Sequence, residues 1–134
     1  MFDFGGRLTK EKAARMNGIT LAFVGDAVYS LYVRSAIVCD AELKTGDLNK
    51  KSSSLVCAAS QARAAEKLAE EFTEEEREVF RRARNAKKGT RAKHASVKDY
   101  NESTGIEAVI GYLYLTGNTD RLEYLLERSV AESL

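Results

Sequence analysis

From residue 19 to residue 39 the chain is apolar on almost every side of a helix. Leu21, Val24, Ala27, Val28, Leu31 and Tyr32 recur at helical spacing, while Phe23, Tyr29, Val33 and Ile37 cover the other faces. A helix of this kind belongs in the centre of a fold or across a bilayer. Its length suits a span, but Asp26 and Arg34 lie inside it, and each would cost about 2.5–3.5 kcal/mol at mid-membrane. The other helical stretches carry charged faces, so the membrane reading is rejected and the run is taken as a central core helix. Gly25 sits within it at a propensity cost of about 1 kcal/mol. A glycine there implies that a second backbone comes close beside Asp26.

Asp26 is the anomaly in Leu21-Ala22-Phe23-Val24-Gly25-Asp26-Ala27-Val28. Burying a lone carboxylate costs several kcal/mol, roughly, unless a metal or a basic side chain compensates. A second apolar helical stretch repeats the pattern: Glu107 stands in Thr104-Gly-Ile-Glu107-Ala-Val-Ile-Gly111, again beside glycines. Two carboxylates on facing core helices can hold a divalent cation in a bundle. Oxygen-only ligation completed by waters suits Mg²⁺. Each acid could equally pair with a buried arginine such as Arg34 or cap a neighbouring backbone, and spacing alone leaves both readings open.

The rest of the chain also reads as helical. The 134 residues contain no proline, and no internal repeat appears. A short helix is expected over residues 9–16, stopped by Asn17-Gly18, and a loop over 40–46 with Thr45 as an N-cap. A long helix follows over 47–72. Thr73 with Glu76 forms a capping box for a helix reaching about Ala86. Residues 85–95 lack any large apolar side chain and read as an exposed loop. Ser96 with Asp99 caps a helix over 97–116, which Gly117-Asn118 ends, and Thr119 opens a final amphipathic helix. The expectation is one all-α domain of about six helices over residues 1–134, with residues 1–8 poorly ordered. Cys39 and Cys57 cannot build a zinc site without histidine nearby and are read as reduced thiols. With no signal-peptide pattern at Met1, a cytoplasmic protein is expected.

The net charge of +1 hides segregation along the chain. Between residues 77 and 98 stand Arg77, Arg81, Arg82, Arg84, Lys87, Lys88, Arg91, Lys93 and Lys98, against the single acid Glu78. Lys50 and Lys51 add to them from another helix. Such an excess exceeds a mixed solvated face. A loop of this composition suits phosphate oxygens, and the scarcity of interleaved aromatics favours duplex backbone over stacked single strands. His94, the only histidine, reads as a phosphate contact rather than a general base. The run Ser52-Ser53-Ser54 has no partnered base, and no P-loop, dinucleotide fingerprint or HExxH is present. A two-carboxylate metal site beside a cationic loop points to phosphodiester chemistry.

Phe23-Val-Gly-Asp26-Ala27-Val28 resembles the ribonuclease III signature. The likeness continues through Asp47-Leu48, Ser54-Leu55-Val56 and Ile106-Glu107-Ala108-Val109-Ile110-Gly111 to Leu115. Asn17-Gly18, Lys50-Lys51-Ser52-Ser53, Arg84-Asn85-Ala86-Lys87 and Tyr114-Leu115 are similar to the mini-ribonuclease III subfamily in particular. The resemblance implies a ribonuclease III endonuclease-domain-like helical bundle that forms a homodimer. It implies cleavage of double-stranded RNA with Mg²⁺, for which Mn²⁺ substitutes, in maturation of large-subunit (23S) ribosomal RNA. By position, Asp26 and Glu107 become catalytic metal ligands, and the loop from Arg84 and Asn85 through Lys87, Lys88, Arg91, Lys93 and His94 becomes the part that enters the RNA groove.

The full-length enzymes carry further acids where this chain has Ala22 and Thr104, so fewer cations are expected to bind. The full-length enzymes also carry a double-stranded-RNA-binding domain; none is expected here, which implies weaker affinity or a ribosomal protein that assists on the precursor. The competing readings are a non-catalytic RNA-binding or ribosome-assembly module of the same fold, and a helical protein-interaction domain with no nucleic-acid affinity.

Overall fold

Two helices, α2 (Gly18–Asp40) and α6 (Val97–Leu115), cross at the centre of the molecule with their backbones in contact. Glycines at the crossing permit this: a Cβ on Gly25 would overlap the carbonyl oxygen of Glu107, and one on Gly111 would overlap that of Leu21. The close approach expected beside Asp26 is therefore real, and its partner is the helix that carries Glu107.

The computed structural model describes residues 7–89 and 95–131. Among these, the remaining helices are α1 (Lys10–Arg15), α3 (Thr45–Val56), α4 (Ala58–Leu68), α5 (Glu74–Asn85) and α7 (Thr119–Val130), with a 3-10 turn over Ala69–Glu71. No strand is formed among the described residues, so the fold is an all-α bundle. Leu21, Tyr29, Val33, Leu68, Val109, Ile110, Leu125 and Leu126 make up the fully buried centre. Ahead of α1, the Leu8 amide bonds to the Leu115 carbonyl at 3.1 Å.

Three expectations require correction. Asn17-Gly18 begins a helix rather than ending one: Asn17 Oδ1 accepts the Ile19 amide at 2.8 Å as the N-cap of α2, and Met16 closes α1. The expected helix over 47–72 is broken at Cys57, whose backbone is extended (φ −67°, ψ 157°). Ser60 Oγ donates to the Ser54 carbonyl at 2.5 Å, the kind of short-range side-chain bond by which serine competes with the helix ladder. Thr45 is the first residue of α3; Lys44 occupies the cap and makes no side-chain cap bond.

α2 is also not covered all round, since Phe23, Leu31 and Val38 remain exposed along it. It is long and apolar enough to cross a membrane by length and composition. Here its other sides form the core against α6.

The local signals at other ends are met as read. Thr73 and Glu76 make the reciprocal capping box of α5. Ser96 Oγ accepts the Asp99 amide at 3.0 Å. Gly117 takes the positive φ of 76° that ends α6, a conformation that costs glycine least.

Candidate functional site

A cavity of about 410 Å³ opens where the first half of α2, the α3–α4 junction, the end of α5 and the middle of α6 meet. Asp26, Glu107, Gln61, Lys88, Tyr100 and Thr104 are on its wall. The α2–α6 crossing brings the two carboxylates together, because Gly25 and Glu107 are in backbone contact and Asp26 is the next residue along. Asp26 is exposed to the cavity rather than buried, so the desolvation problem posed by the sequence falls on Glu107 instead. Burial pushes the Glu107 carboxyl up to about 9. A hydrogen bond with Asp26 and that residue's charge add to the rise, and the Gln61 amide opposes it. Ionising Glu107 beside the Asp26 charge is unfavourable unless a cation offsets it.

Among the described residues, no arginine lines this cavity. Arg34 is exposed and lines a separate, smaller cavity with Ile37, Val38 and Leu48. The donor set fits a hard, oxygen-seeking cation such as Mg²⁺, which needs few protein ligands and keeps several waters. It is a sparse set: no group of three or more His, Cys, Asp or Glu side chains gathers among the described residues. Ala22 and Thr104, where further acids would stand, both line the cavity. Ala22 offers no donor atom, and the Thr104 hydroxyl donates to the Tyr100 carbonyl at 2.9 Å.

Several of the described basic residues are engaged within the fold. Lys88, beyond the end of α5, turns back on that helix: its ammonium donates to the carbonyls of Ala83 and Arg84, each at 2.7 Å, and burial lowers its pKa. It thereby caps α5, as cations commonly do at helix C-termini, while still lining the cavity beside Gly89. Arg84 stacks 5.6 Å over the Phe80 ring, with Nε donating to Asn85 Oδ1 at 3.2 Å. Asn85 and Lys87 are exposed at the end of α5 and just past it; on α3, Lys50 is exposed and Lys51 half-buried. Arg91, Lys93 and His94 lie outside the described residues. Arg81 is ion-paired with Glu78 at 2.6 Å, and Lys98 with Glu66 and Glu102 at 2.9 and 3.0 Å. The cationic surplus counted along residues 77–98 is thus partly spent within the fold.

One wall residue escaped the sequence reading. Gln61, only 2% exposed, directs Nε2 at Glu107 Oε2 across 3.5 Å. Its signal was available: a single large polar side chain on the alanine-rich inner face of α4. It went unread because a continuous helix over 47–72 does not start a new element at Cys57, four residues before it.

The Ribonuclease III domain family matches residues 19–118. A mini-ribonuclease 3 of Thermoanaerobacter is 42% identical over 92% of this chain and 87% of its own length. Those of Streptococcus pneumoniae and Staphylococcus aureus are each 45% identical, over 83% and 86% of this chain and 88% and 87% of theirs. A crystal structure of a protein from Fusobacterium nucleatum superposes with a TM-score of 0.81 at 28% identity, covering 90% of this chain and 96% of that one. With the paired acids standing on the helices that the family match spans, the chain belongs to the mini-ribonuclease III family and is a nuclease of the ribonuclease III type.

Proposed function

We propose that this protein is a Mg²⁺-dependent endoribonuclease that cuts double-stranded RNA in the cytoplasm, acting as one catalytic domain per protomer of a homodimer. Its substrate in this reading is precursor of large-subunit (23S) ribosomal RNA, with a ribosomal protein helping to present it. The observation that supports the chemistry best is that the α2–α6 crossing sets Asp26 and Glu107 side by side on the cavity wall, where burial, then the hydrogen bond and charge of Asp26, push Glu107 up to about 9. Such a pair is a strong attractor for a divalent cation.

In this mechanism Asp26 and Glu107 are the residues that would hold Mg²⁺, or Mn²⁺ in its place, through carboxylate oxygens. When bound, such an ion would offset charge on the scissile phosphate and lower the pKa of a water. In this reading Lys50, Lys51, Arg84, Asn85, Lys87, Lys88, Arg91, Lys93 and His94 contact the duplex backbone; such contacts position without reading sequence. The support for a homodimer is the exposed apolar row on α2: Phe23, Leu31 and Val38 are 80%, 42% and 62% exposed. Exposed large apolar side chains of this kind are what a second copy would cover in a dimer, and Phe23 also lines the cavity.

The direct test is a cleavage assay on end-labelled duplex RNA. Cutting is expected in Mg²⁺ and in Mn²⁺, none in EDTA, and little on a single strand of the same sequence. Equal cutting in EDTA, or a preference for the single strand, would overturn the proposal. Duplex binding without any cutting would instead leave an RNA-binding or ribosome-assembly module.

A further inference from the structure

A two-carboxylate site has a mechanical weakness. A cation held by only two side chains stays in one place only if both are fixed, because each carboxylate can swing about its own torsions. Four carboxylates would restrain one another, whereas two need an external brace. The wall of the cavity offers one. Gln61 is 2% exposed, and its Nε2 faces Glu107 Oε2 at 3.5 Å. We infer that Gln61 is a positioning residue for the cleavage reaction: its side-chain amide holds the Glu107 carboxylate in the orientation that receives the cation. This rests on the metal-dependent reading of the Asp26–Glu107 pair given above.

The geometry of α4 supports the role. The helix begins at Ala58 only because the chain breaks at Cys57, where Ser60 Oγ ties back to the Ser54 carbonyl at 2.5 Å. Gln61 therefore sits in the first turn of a new helix, aimed at α6 from a direction that an uninterrupted helix would not supply. Its neighbours on the inner face are Ala62, Ala64, Ala65 and Leu68, all nearly fully buried.

Burying a primary amide among such residues costs free energy unless the amide is bonded. The partner it finds is the carboxylate of the candidate site. At 3.5 Å the contact is long, which leaves the oxygen free to adjust toward a cation while the donor still restricts its swing. Partners that orient a ligand in this way, without touching the metal, typically change affinity or activity 10–100-fold when lost.

The discriminating variant is Gln61→Met, which keeps length and volume but removes the donor. Mn²⁺ binding is measured by calorimetry and by the electron paramagnetic resonance spectrum of bound Mn²⁺, both without RNA, alongside steady-state cleavage of duplex RNA. We expect about tenfold weaker Mn²⁺ binding, a broadened bound-Mn²⁺ spectrum, and kcat about tenfold or more lower with KM for RNA unchanged. Gln61→Ala, which suits an alanine-rich helix, should show the same losses, so a folding defect in one variant does not remove the test. Wild-type Mn²⁺ affinity, spectrum and kcat in either folded variant would overturn the positioning role. If the wild-type protein itself neither binds Mn²⁺ nor cuts duplex RNA, the reading of the site fails, and the role falls with it.

Discussion

Gly25 and Gly111 face each other across the α2–α6 crossing, each where a side chain would strike the other helix's backbone. The contact fixes more than packing, because Asp26 follows the first glycine and the carbonyl that Gly25 approaches belongs to Glu107. Gly25→Ala must push the helices apart. Overpacking a well-filled core costs about 1–3 kcal/mol, and the obstacle here is backbone, so the upper end or beyond is expected. Gly46 has nothing within 4 Å of an added Cβ, so Gly46→Ala is the control. Urea melts should show a large loss for the first and little change for the second. Gly25→Ala should also lose cleavage out of proportion to its folded fraction, because the two acids are displaced together.

Asp26→Asn keeps the shape of a side chain that is exposed to the cavity, so the melting temperature should not fall. Cleavage should drop by more than about a hundredfold, beyond what loss of an outer-shell partner usually costs. Duplex affinity, measured by filter binding, should persist. A fully active Asp26→Asn protein would remove the metal-ligand assignment.

The raised Glu107 carboxyl makes a signed prediction for the protein stripped of metal. Its ordinary value of 4.5 rises to about 9 in the fold, so between those values the native state holds a proton that the unfolded chain has released. Stability is then complete below about pH 4.5 and declines as pH rises through about 9. Thermal melts in EDTA should fall across that window, and Glu107→Gln should flatten the slope. Mg²⁺ binding near neutral pH should release a proton, read by calorimetry in buffers of different ionisation enthalpy.

The buried pair of Glu76 and Arg121 tests the scaffold away from the site. Glu76 is 2% exposed, bonded to Arg121 Nε at 2.9 Å, and also closes the capping box on the Thr73 amide at 3.0 Å. Arg121 Nη2 reaches the Glu71 carbonyl at 2.6 Å, so it joins α7 to the turn before α5. Arg121→Met leaves a buried carboxylate unpaired. The expected cost is about 3 kcal/mol, the low end for breaking a buried pair, because the guanidinium is partly exposed. Specific activity per folded molecule should not change.

Much of this architecture was legible in the residues. The apolar run around Asp26, its twin around Glu107 and the flanking glycines gave reason to expect a second backbone close beside Asp26, while spacing alone left open whether the two acids meet. The capping box at Thr73 and the serine cap at Ser96 are local bonds between near neighbours, so sequence alone specifies them. The break at Cys57 is different. No proline or glycine marks it, and it depends on serine hydroxyls choosing carbonyls that the helix would otherwise use. Missing that break hid Gln61, whose importance comes from a residue 46 positions away. Likewise, sharing a sequence window does not leave every charge of residues 77–98 open to a ligand, since Arg81 pairs with Glu78 and Lys98 with Glu66 of α4.

Lys87 and Lys88 are adjacent in sequence yet should behave oppositely when replaced. Lys88 is bonded through its ammonium to two terminal carbonyls of α5. Charge-assisted bonds of this kind contribute about 1.5–3 kcal/mol each when well formed, less where solvent reaches them. Lys88→Ala should therefore lower stability by about 1–2 kcal/mol in urea melts, with some effect on cleavage because the side chain also lines the cavity. Lys87 is exposed, and Lys87→Ala should leave the melt unchanged. If it contacts a duplex phosphate, the variant should bind RNA more weakly, and the slope of log affinity against log salt should shrink by about one unit. The two lysines are thus separated by which property each variant loses. A Lys87→Ala protein with wild-type affinity and salt slope would take that residue out of the RNA-contact set.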